Sequence, residues 1–288
     1  MTMPKTYNDI YLQARRALRA SGIAAYSLEA RLLTAFAAGK SLESFMRDLR
    51  LYTSDAVAKR ADELIARRLR GEPIAYITGE WEFFGIPLTI TEDVLIPRID
   101  TEVLVETAVT ALKRRKMDAR VLDLCAGSGC VGCAIAKELP ATSVVLVDND
   151  ASALFVARQN IVRHKLEQRV SCVETCALAD PPLMLGIFDI LVCNPPYIPT
   201  AKLADLDDSV KLYEPHRALD GGDDGLDFYR AILEKWCTVV RSGGLMMFEA
   251  GEGQAEDIIM LMRIQGLRNI GSVKDTLGID RVIFGNVK

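Results

Sequence analysis

The stretch Val121-Leu122-Asp123-Leu124-Cys125-Ala126-Gly127-Ser128-Gly129-Cys130-Val131-Gly132 begins as an apolar, strand-favouring run, passes through small residues and continues into a helix-favouring segment. A strand that ends in glycines and turns into a helix is the opening of a nucleotide-type βα unit. The glycines let the backbone approach a ligand, and the first helical turn offers unpaired N–H groups. Gly127, Gly129 and Gly132 satisfy G-x-G-x-x-G, and Asp148, at the end of the next apolar run, stands where an acid can take ribose hydroxyls. The loop does not choose its own cofactor, and a bare strand-to-helix turn without a ligand is the bland alternative.

Downstream of this unit, residues 143–147, 170–173, 188–193, 244–249 and 281–284 read as strands, and 130–139, 151–163, 226–240 and 254–265 as helices. With 120–124 as the first strand, the alternation calls for an α/β fold with a parallel, doubly wound sheet, whose sites lie beyond strand ends. Residues 198–225, rich in Asp and Gly, follow such an end. Upstream, a helix is predicted to start near Thr101, and residues 75–77, 81–84 and 87–90 are aromatic and β-branched runs punctuated by Gly79 and Gly85, which predicts a β-hairpin. Residues 6–70 read as short helices, with Ser27, Ser41 and Ser54 at N-cap positions and Gly71-Glu72-Pro73 as the stop. The expected organisation is a helical domain over 1–73, a hairpin linker over 74–97 and an α/β domain over 98–288.

Composition agrees. The chain has 288 residues, 50% hydrophobic and 26% charged, the balance of a globular protein large enough for two domains. No apolar run reaches membrane-spanning length, and Lys5, Asp9, Arg15 and Arg16 interrupt the N-terminal segment, so neither a span nor a signal peptide is expected. Seven cysteines in a chain of this size fit reduced thiols and a cytoplasmic setting. The net charge of −4 divides unevenly: residues 1–73 hold 13 Lys+Arg against 8 Asp+Glu, and residues 74–288 hold 22 against 31. Two units with different surface roles follow.

The chemistry is carried by Asn194-Pro195-Pro196-Tyr197, directly after the apolar run 188–193. A rigid loop opening is the bland reading, because Asn before Pro is pushed out of the helical region. The functional reading rests on what a planar nitrogen needs in order to be methylated. Its lone pair is delocalised, as the amide rotational barrier of roughly 18–20 kcal/mol reflects. A site helps by accepting both N–H hydrogens: the Asn194 side-chain oxygen is one acceptor and the Pro195 carbonyl, held in stiff backbone, the other. Pro196 and Tyr197 supply an apolar wall and a ring face, the ring also suited to a nearby sulfonium. Alignment supplies much of the acceleration, so no general base is called for, and neither His164 nor His216 is assigned one.

Asp123-x-x-x-Gly127-x-Gly129 also resembles the first motif of S-adenosylmethionine-dependent methyltransferases. With Gly71-Glu72-Pro73-Ile74-Ala75-Tyr76-Ile77-Thr78-Gly79, Leu95-Ile96-Pro97-Arg98, Asp100-Thr101-Glu102, the tetrad and Tyr213-Glu214-Pro215, the chain from about Tyr7 to Phe284 resembles the peptide chain release factor glutamine methyltransferases. The resemblance implies a Rossmann-like methyltransferase domain of the seven-stranded type with a small N-terminal helical bundle that recognises the release factor. It implies S-adenosylmethionine as donor, S-adenosylhomocysteine as product, and as target the side-chain amide nitrogen of the glutamine in the Gly-Gly-Gln loop of class I release factors. Carried over by position, Asp123, Cys125, Ala126, Gly127, Ser128, Gly129, Asp148 and Asn194 hold the cofactor. Asn194, Pro195, Pro196 and Tyr197 hold the glutamine, with Asn194, Pro195 and Tyr197 at the reacting group. Arg98 and Glu102 are expected to order the lid of the site, and Glu249 to shape the pocket or stand as a plain strand-end charge.

The chain departs from the family pattern at Ile99, where proline is common, at Cys125-Ala126, where Gly-Thr is usual, and at Thr175-Cys176-Ala177, where an acid and an aromatic often lie near adenine. Cys130-x-x-Cys133 and Cys172-x-x-x-Cys176 loosely mimic metal spacing; small buried hydrophobes are the expected role and no metal is assigned. Lys113-Arg114-Arg115-Lys116 reads as a solvated helix terminus. Two rival functions stay open. A methyltransferase of exocyclic N6-adenine amines in RNA or DNA would share the tetrad, against which stands the acidic charge of residues 74–288. An NAD-linked oxidoreductase or a non-catalytic nucleotide-binding module would share the glycine loop. The expected partners are release factors, with no membrane and no sequence-specific nucleic acid, and a monomer is favoured.

Overall fold

The computed structural model describes residues 4–115 and 118–288. They fall into two units, Met1–Gly79 and Glu80–Lys288. The first holds α1 (Tyr7–Ala20), α2 (Tyr26–Ala37), α3 (Leu42–Arg47), α4 (Asp55–Leu69) and α5 (Ile74–Thr78). Ser41 and Ser54 cap α3 and α4 through their hydroxyls as predicted, but Ser27 lies inside α2, which starts at Tyr26, and its hydroxyl bonds instead to the Tyr11 phenol. A capping box that the reading missed, Thr6 with Asp9, starts α1. Leu18, Leu33, Phe45 and Ala61 are fully buried between these helices, and a half-buried Glu29–Arg68 pair braces α2 against α4.

One expectation is corrected at the end of this unit. Ala75-Tyr76-Ile77 is not a strand but the middle of α5. Pro73 presets an extended φ at the N-cap, Gly79 closes the turn with a left-handed φ of 72°, and Ile74 and Ile77, three apart, face the helical core together. The aromatic hairpin begins only at β1 (Glu80–Phe83) and returns as β2 (Ile86–Thr89), around Phe84 and Gly85 at φ 49° and 70°.

The second unit continues with α6 (Glu102–Arg115), β3 (Arg120–Leu124), α7 (Cys130–Glu138), β4 (Ser143–Asp148), α8 (Ala151–Arg163), β5 (Val170–Glu174), β6 (Phe188–Cys193), α9 (Asp208–Lys211), α10 (Asp227–Lys235), β7 (Val240–Glu249), α11 (Ala255–Ile264), β8 (Arg268–Lys274) and β9 (Asp280–Asn286). The basic cluster sits at the end of α6; Lys113 faces Glu138 at 3.9 Å, and Lys116 lies outside the described residues.

The seven strands pair in the order β5-β4-β3-β6-β7-β9-β8. The first five run parallel, but β9 lies antiparallel between β7 and β8, so the all-parallel sheet expected from the alternation holds only on one side. Strand β8 was not foreseen: Arg268-Asn269-Ile270-Gly271-Ser272-Val273-Lys274 is a half-exposed edge with no apolar run to announce it. The predicted helix over 226–240 is also shorter. It breaks after Lys235 into a 3₁₀ turn that buries Trp236, whose indole N–H donates to the Ala177 and Ala179 carbonyls, and Val240 already belongs to β7. Central strands β3 and β6 are buried on both faces, as parallel strands covered by helices must be. Among the described residues no helix is long and apolar enough to cross a membrane.

Candidate active site

The cleft opens at the C-terminal ends of β3, β4 and β6, where the strand order reverses between β3 and β6. Its lining includes Asp123, Cys125, Ala126, Gly127, Ser128, Asp148, Asn194 and Pro196, so most of the predicted site residues share one cavity. Gly129, Pro195 and Tyr197 are not on that lining, although chain continuity keeps each beside it. The lining also carries Val94, Leu95, Pro97, Thr175, Ala177, Arg217 and Phe228.

The glycine loop is shaped by three consecutive odd positions. Cys125, Gly127 and Gly129 take φ of 56°, 53° and 75°, and the cysteine bears this conformation without glycine's freedom. The turn is fixed by Ala126 N–H donating to the Val147 carbonyl at 3.0 Å and by Gly129 N–H donating to the Ala126 carbonyl at 2.8 Å. Gly132 has a different task. A Cβ there would lie 2.3 Å from a Leu146 methyl and 3.0 Å from Asp123 Oδ2, so glycine lets α7 settle on the sheet.

Asp93, Asp123 and Asp148 all line the cavity, and the last two accept glycine N–H groups. Asp123, 2% exposed, accepts the Gly132 N–H at 2.8 Å, yet burial, with Asp148 adding to it, pushes its pKa up to about 7. Asp148 accepts Gly127 N–H at 2.8 Å and Asp150 N–H at 3.1 Å, and burial raises its pKa as well. Buried Ser128 Oγ has no hydrogen-bond partner among the described residues. This donor set fits a cationic nucleoside: carboxyls starved of positive charge, an orphaned hydroxyl, and a glycine loop able to approach closely.

Asn194 leaves β6 with its amide nitrogen donating to the Thr101 hydroxyl at 3.2 Å. Pro195 and Pro196 are buried. Glycines 221 and 225 hold the tetrad by backbone packing: a Cβ at Gly221 would sit 2.8 Å from Tyr197 Cα, and one at Gly225 would sit 2.3 Å from the Tyr197 carbonyl. The Gln254 side chain donates to that carbonyl at 2.9 Å. The Tyr197 phenol points toward Glu249 Oε1 at 3.4 Å, and desolvation of the half-buried ring, with Glu249 beside it, raises its pKa. Glu249 is therefore no solvated strand-end charge. It is 1% exposed, and burial outweighs the Thr101 hydroxyl and the Arg281 guanidinium to push its pKa up to about 7.

Other residues fix the cleft from behind, and sequence reasoning named only some. Glu214, 4% exposed, accepts the Ile96 N–H at 3.2 Å and pairs with Arg98 at 2.5 Å. Glu102 accepts the hairpin amide of Phe84 at 2.8 Å. Fully buried Asn160 was missed. Its amide bridges both backbone groups of Thr89 and donates to the Ser128 carbonyl at 2.9 Å, joining the hairpin to the glycine loop. Its signal is an Asn in an otherwise apolar helical stripe. The thiols behind the loop are inert: burial pushes Cys130 up to about 12 and raises Cys133 further. Among the described residues no group of three or more His, Cys, Asp or Glu is placed to hold a metal ion. Both histidine rings bond to backbone carbonyls, His164 to Pro87 and His216 to Lys211.

Comparison with known proteins adds the following. A model of the PrmC N-terminal domain matches residues 9–79, and one of the methyltransferase small domain matches residues 98–206. The chain is 45% identical over 224 residues to a release factor glutamine methyltransferase of Geobacter sulfurreducens, covering 78% of this chain and 76% of that one. It is 33% identical over 275 residues to a protein of the same name from Clostridium botulinum, covering 96% and 97%. The fold is shared with the hMettl16 catalytic domain, solved in complex with MAT2A 3′UTR hairpin 6, at TM-score 0.56 and 17% identity over 82% of this chain and 83% of that chain.

Proposed function

The chain belongs to the release factor glutamine methyltransferase family, and from that premise we propose that its cleft methylates the side-chain amide nitrogen of the glutamine in the Gly-Gly-Gln loop of class I release factors. It is an S-adenosylmethionine-dependent enzyme. When bound, the cofactor supplies a methyl group activated on a sulfonium. The residues that would hold it are the Cys125–Gly129 loop, Asp123 beside the amino acid moiety and Asp148 at the ribose. Thr175 and Ala177 put small side chains on the lining where the family pattern often carries an acid and an aromatic, and Phe228 is an aromatic ring on the same lining.

The chain's own part in the reaction is to bind and orient. The Asn194 oxygen accepts one hydrogen of the substrate amide, because its nitrogen is already committed to Thr101. The Pro195 carbonyl, in a backbone fixed by two prolines, accepts the other. Both contacts turn the nitrogen lone pair toward the methyl donor, and orientation of this kind supplies much of the rate. Pro196 and Tyr197 wall the planar group from water. The observation that supports the reading most is the Asn194 side chain lining the same cleft as the glycine loop and the Asp123 and Asp148 carboxyls.

We assign release factor recognition to the helical unit, with its excess of five positive charges over residues 1–73. A cytoplasmic setting and a monomer go with the proposal. With labelled S-adenosylmethionine, the protein should methylate a release factor but not a variant whose loop glutamine is replaced. Equal labelling of both, or of RNA alone, would reject it.

A further inference from the structure

An asparagine can serve as an acceptor only if its amide is turned the right way, since its two ends differ in chemistry but hardly in shape. In this cleft the choice is made by a residue that does not line it. Thr101, at the 3₁₀ turn Ile99–Thr101 before α6, is 1% exposed, and its Oγ lies 3.2 Å from Asn194 Nδ2. A hydroxyl has one hydrogen to donate. If that hydrogen went to Asn194, the amide oxygen would face Thr101 and the nitrogen would face the substrate, where it could not accept an N–H.

The Glu249 carboxyl decides the direction. It faces the Thr101 hydroxyl from the end of β7, with Oε1 toward the Tyr197 phenol and Oε2 buried without a hydrogen-bond partner among the described residues. Once ionised, above a pKa of about 7, this carboxyl only accepts, so it draws the Thr101 hydrogen and leaves the Thr101 oxygen as the acceptor that the 3.2 Å contact with Asn194 Nδ2 calls for. The amide nitrogen then turns inward and Oδ1 outward.

We infer that Thr101, backed by Glu249, is a positioning residue that sets the flip of the Asn194 side chain and so makes it an acceptor for the substrate amide. This rests on the reading of Asn194 given under the proposed function. Thr101 itself touches neither substrate nor cofactor.

Thr101→Val keeps the shape and removes the hydroxyl; Thr101→Ser restores it. In the full chain, T101V should lose about 100-fold in kcat, the scale of a misoriented reacting group. Its affinity for S-adenosylhomocysteine should stay within about twofold of wild type, as expected for a residue off the cofactor wall. T101S should recover most of the loss. Independently of activity, the Asn194 side-chain amide, read by ¹⁵N NMR, should exchange slowly in wild type and T101S and fast in T101V. Unchanged kcat in T101V, T101S as impaired as T101V, or an Asn194 amide indifferent to both substitutions would overturn the inference. A wild-type protein that leaves the release factor unmethylated yet shows the protected Asn194 amide would reject the functional reading and keep the positioning role.

Discussion

The pKa of Asp123 makes cofactor binding a proton-releasing event. Its carboxyl is buried, has Asp148 as a neighbour and is pushed up to about 7. At pH 6 such a group is about 90% protonated, by the definition of a pKa. S-adenosylmethionine brings a sulfonium and an ammonium, and a positive charge beside a buried carboxyl lowers its pKa by several units. Binding at pH 6 should therefore expel about 0.9 proton, and wild-type affinity should fall about tenfold, or about 1.4 kcal/mol, between pH 8 and pH 6 from this group alone. The cofactor's own amino group titrates near pH 8, so the informative quantity is the ratio of wild type to Asp123→Asn at each pH. Asn can still accept the Gly132 N–H but carries no titrating proton. Calorimetry at pH 6 in buffers of different ionisation enthalpy counts the protons directly. Fewer than about 0.2 released by wild type, or the same number by Asp123→Asn, would refute the coupling.

Four further outcomes follow from the same geometry. Asn194→Ala should abolish methyl transfer while S-adenosylhomocysteine still binds, measured by labelled transfer and calorimetry; preserved turnover would mean that the tetrad is only a loop. Gly132→Ala should destabilise the protein by about 2 kcal/mol or more in chemical denaturation, since its Cβ would overlap Leu146 at 2.3 Å. Asn160→Leu, which leaves Thr89 and Ser128 backbone groups unpaired, should cost about 2–4 kcal/mol and weaken cofactor binding through the loop. Glu249 holds its proton more tightly folded, at about 7, than unfolded, at 4.5, so its stabilising contribution is full below the unfolded value and lost as pH rises through the folded one. Thermal unfolding should accordingly show Glu249→Gln gaining on wild type between pH 5 and pH 8, by about 2–3 kcal/mol.

The sequence by itself determined the elements whose signals are local. Strand Arg120–Leu124, helix Ala151–Arg163 and strand Phe188–Cys193 lie where periodicity put them, because each buries apolar residues at strand or helix spacing and has Gly, Asp or Pro close to an end. The glycine loop and the tetrad were legible for the same reason: strand-end glycines and paired prolines constrain the backbone whatever surrounds them. Tertiary structure decided what depends on partners distant in the chain. The edge strand Arg268–Lys274 exists because β9 offers it a ladder, not because its residues favour one. Ala75-Tyr76-Ile77 satisfies strand propensity, but helical packing of Ile74 and Ile77 overrides it. The deepest part of the site belongs to this class. Thr101 and Asn194 are 93 residues apart and Thr89 and Asn160 are 71 apart, and no spacing rule pairs them. Nor could composition show that Glu249 is buried among Thr101, Tyr197 and Arg281, since its protonation is set by the water that the folded chain excludes.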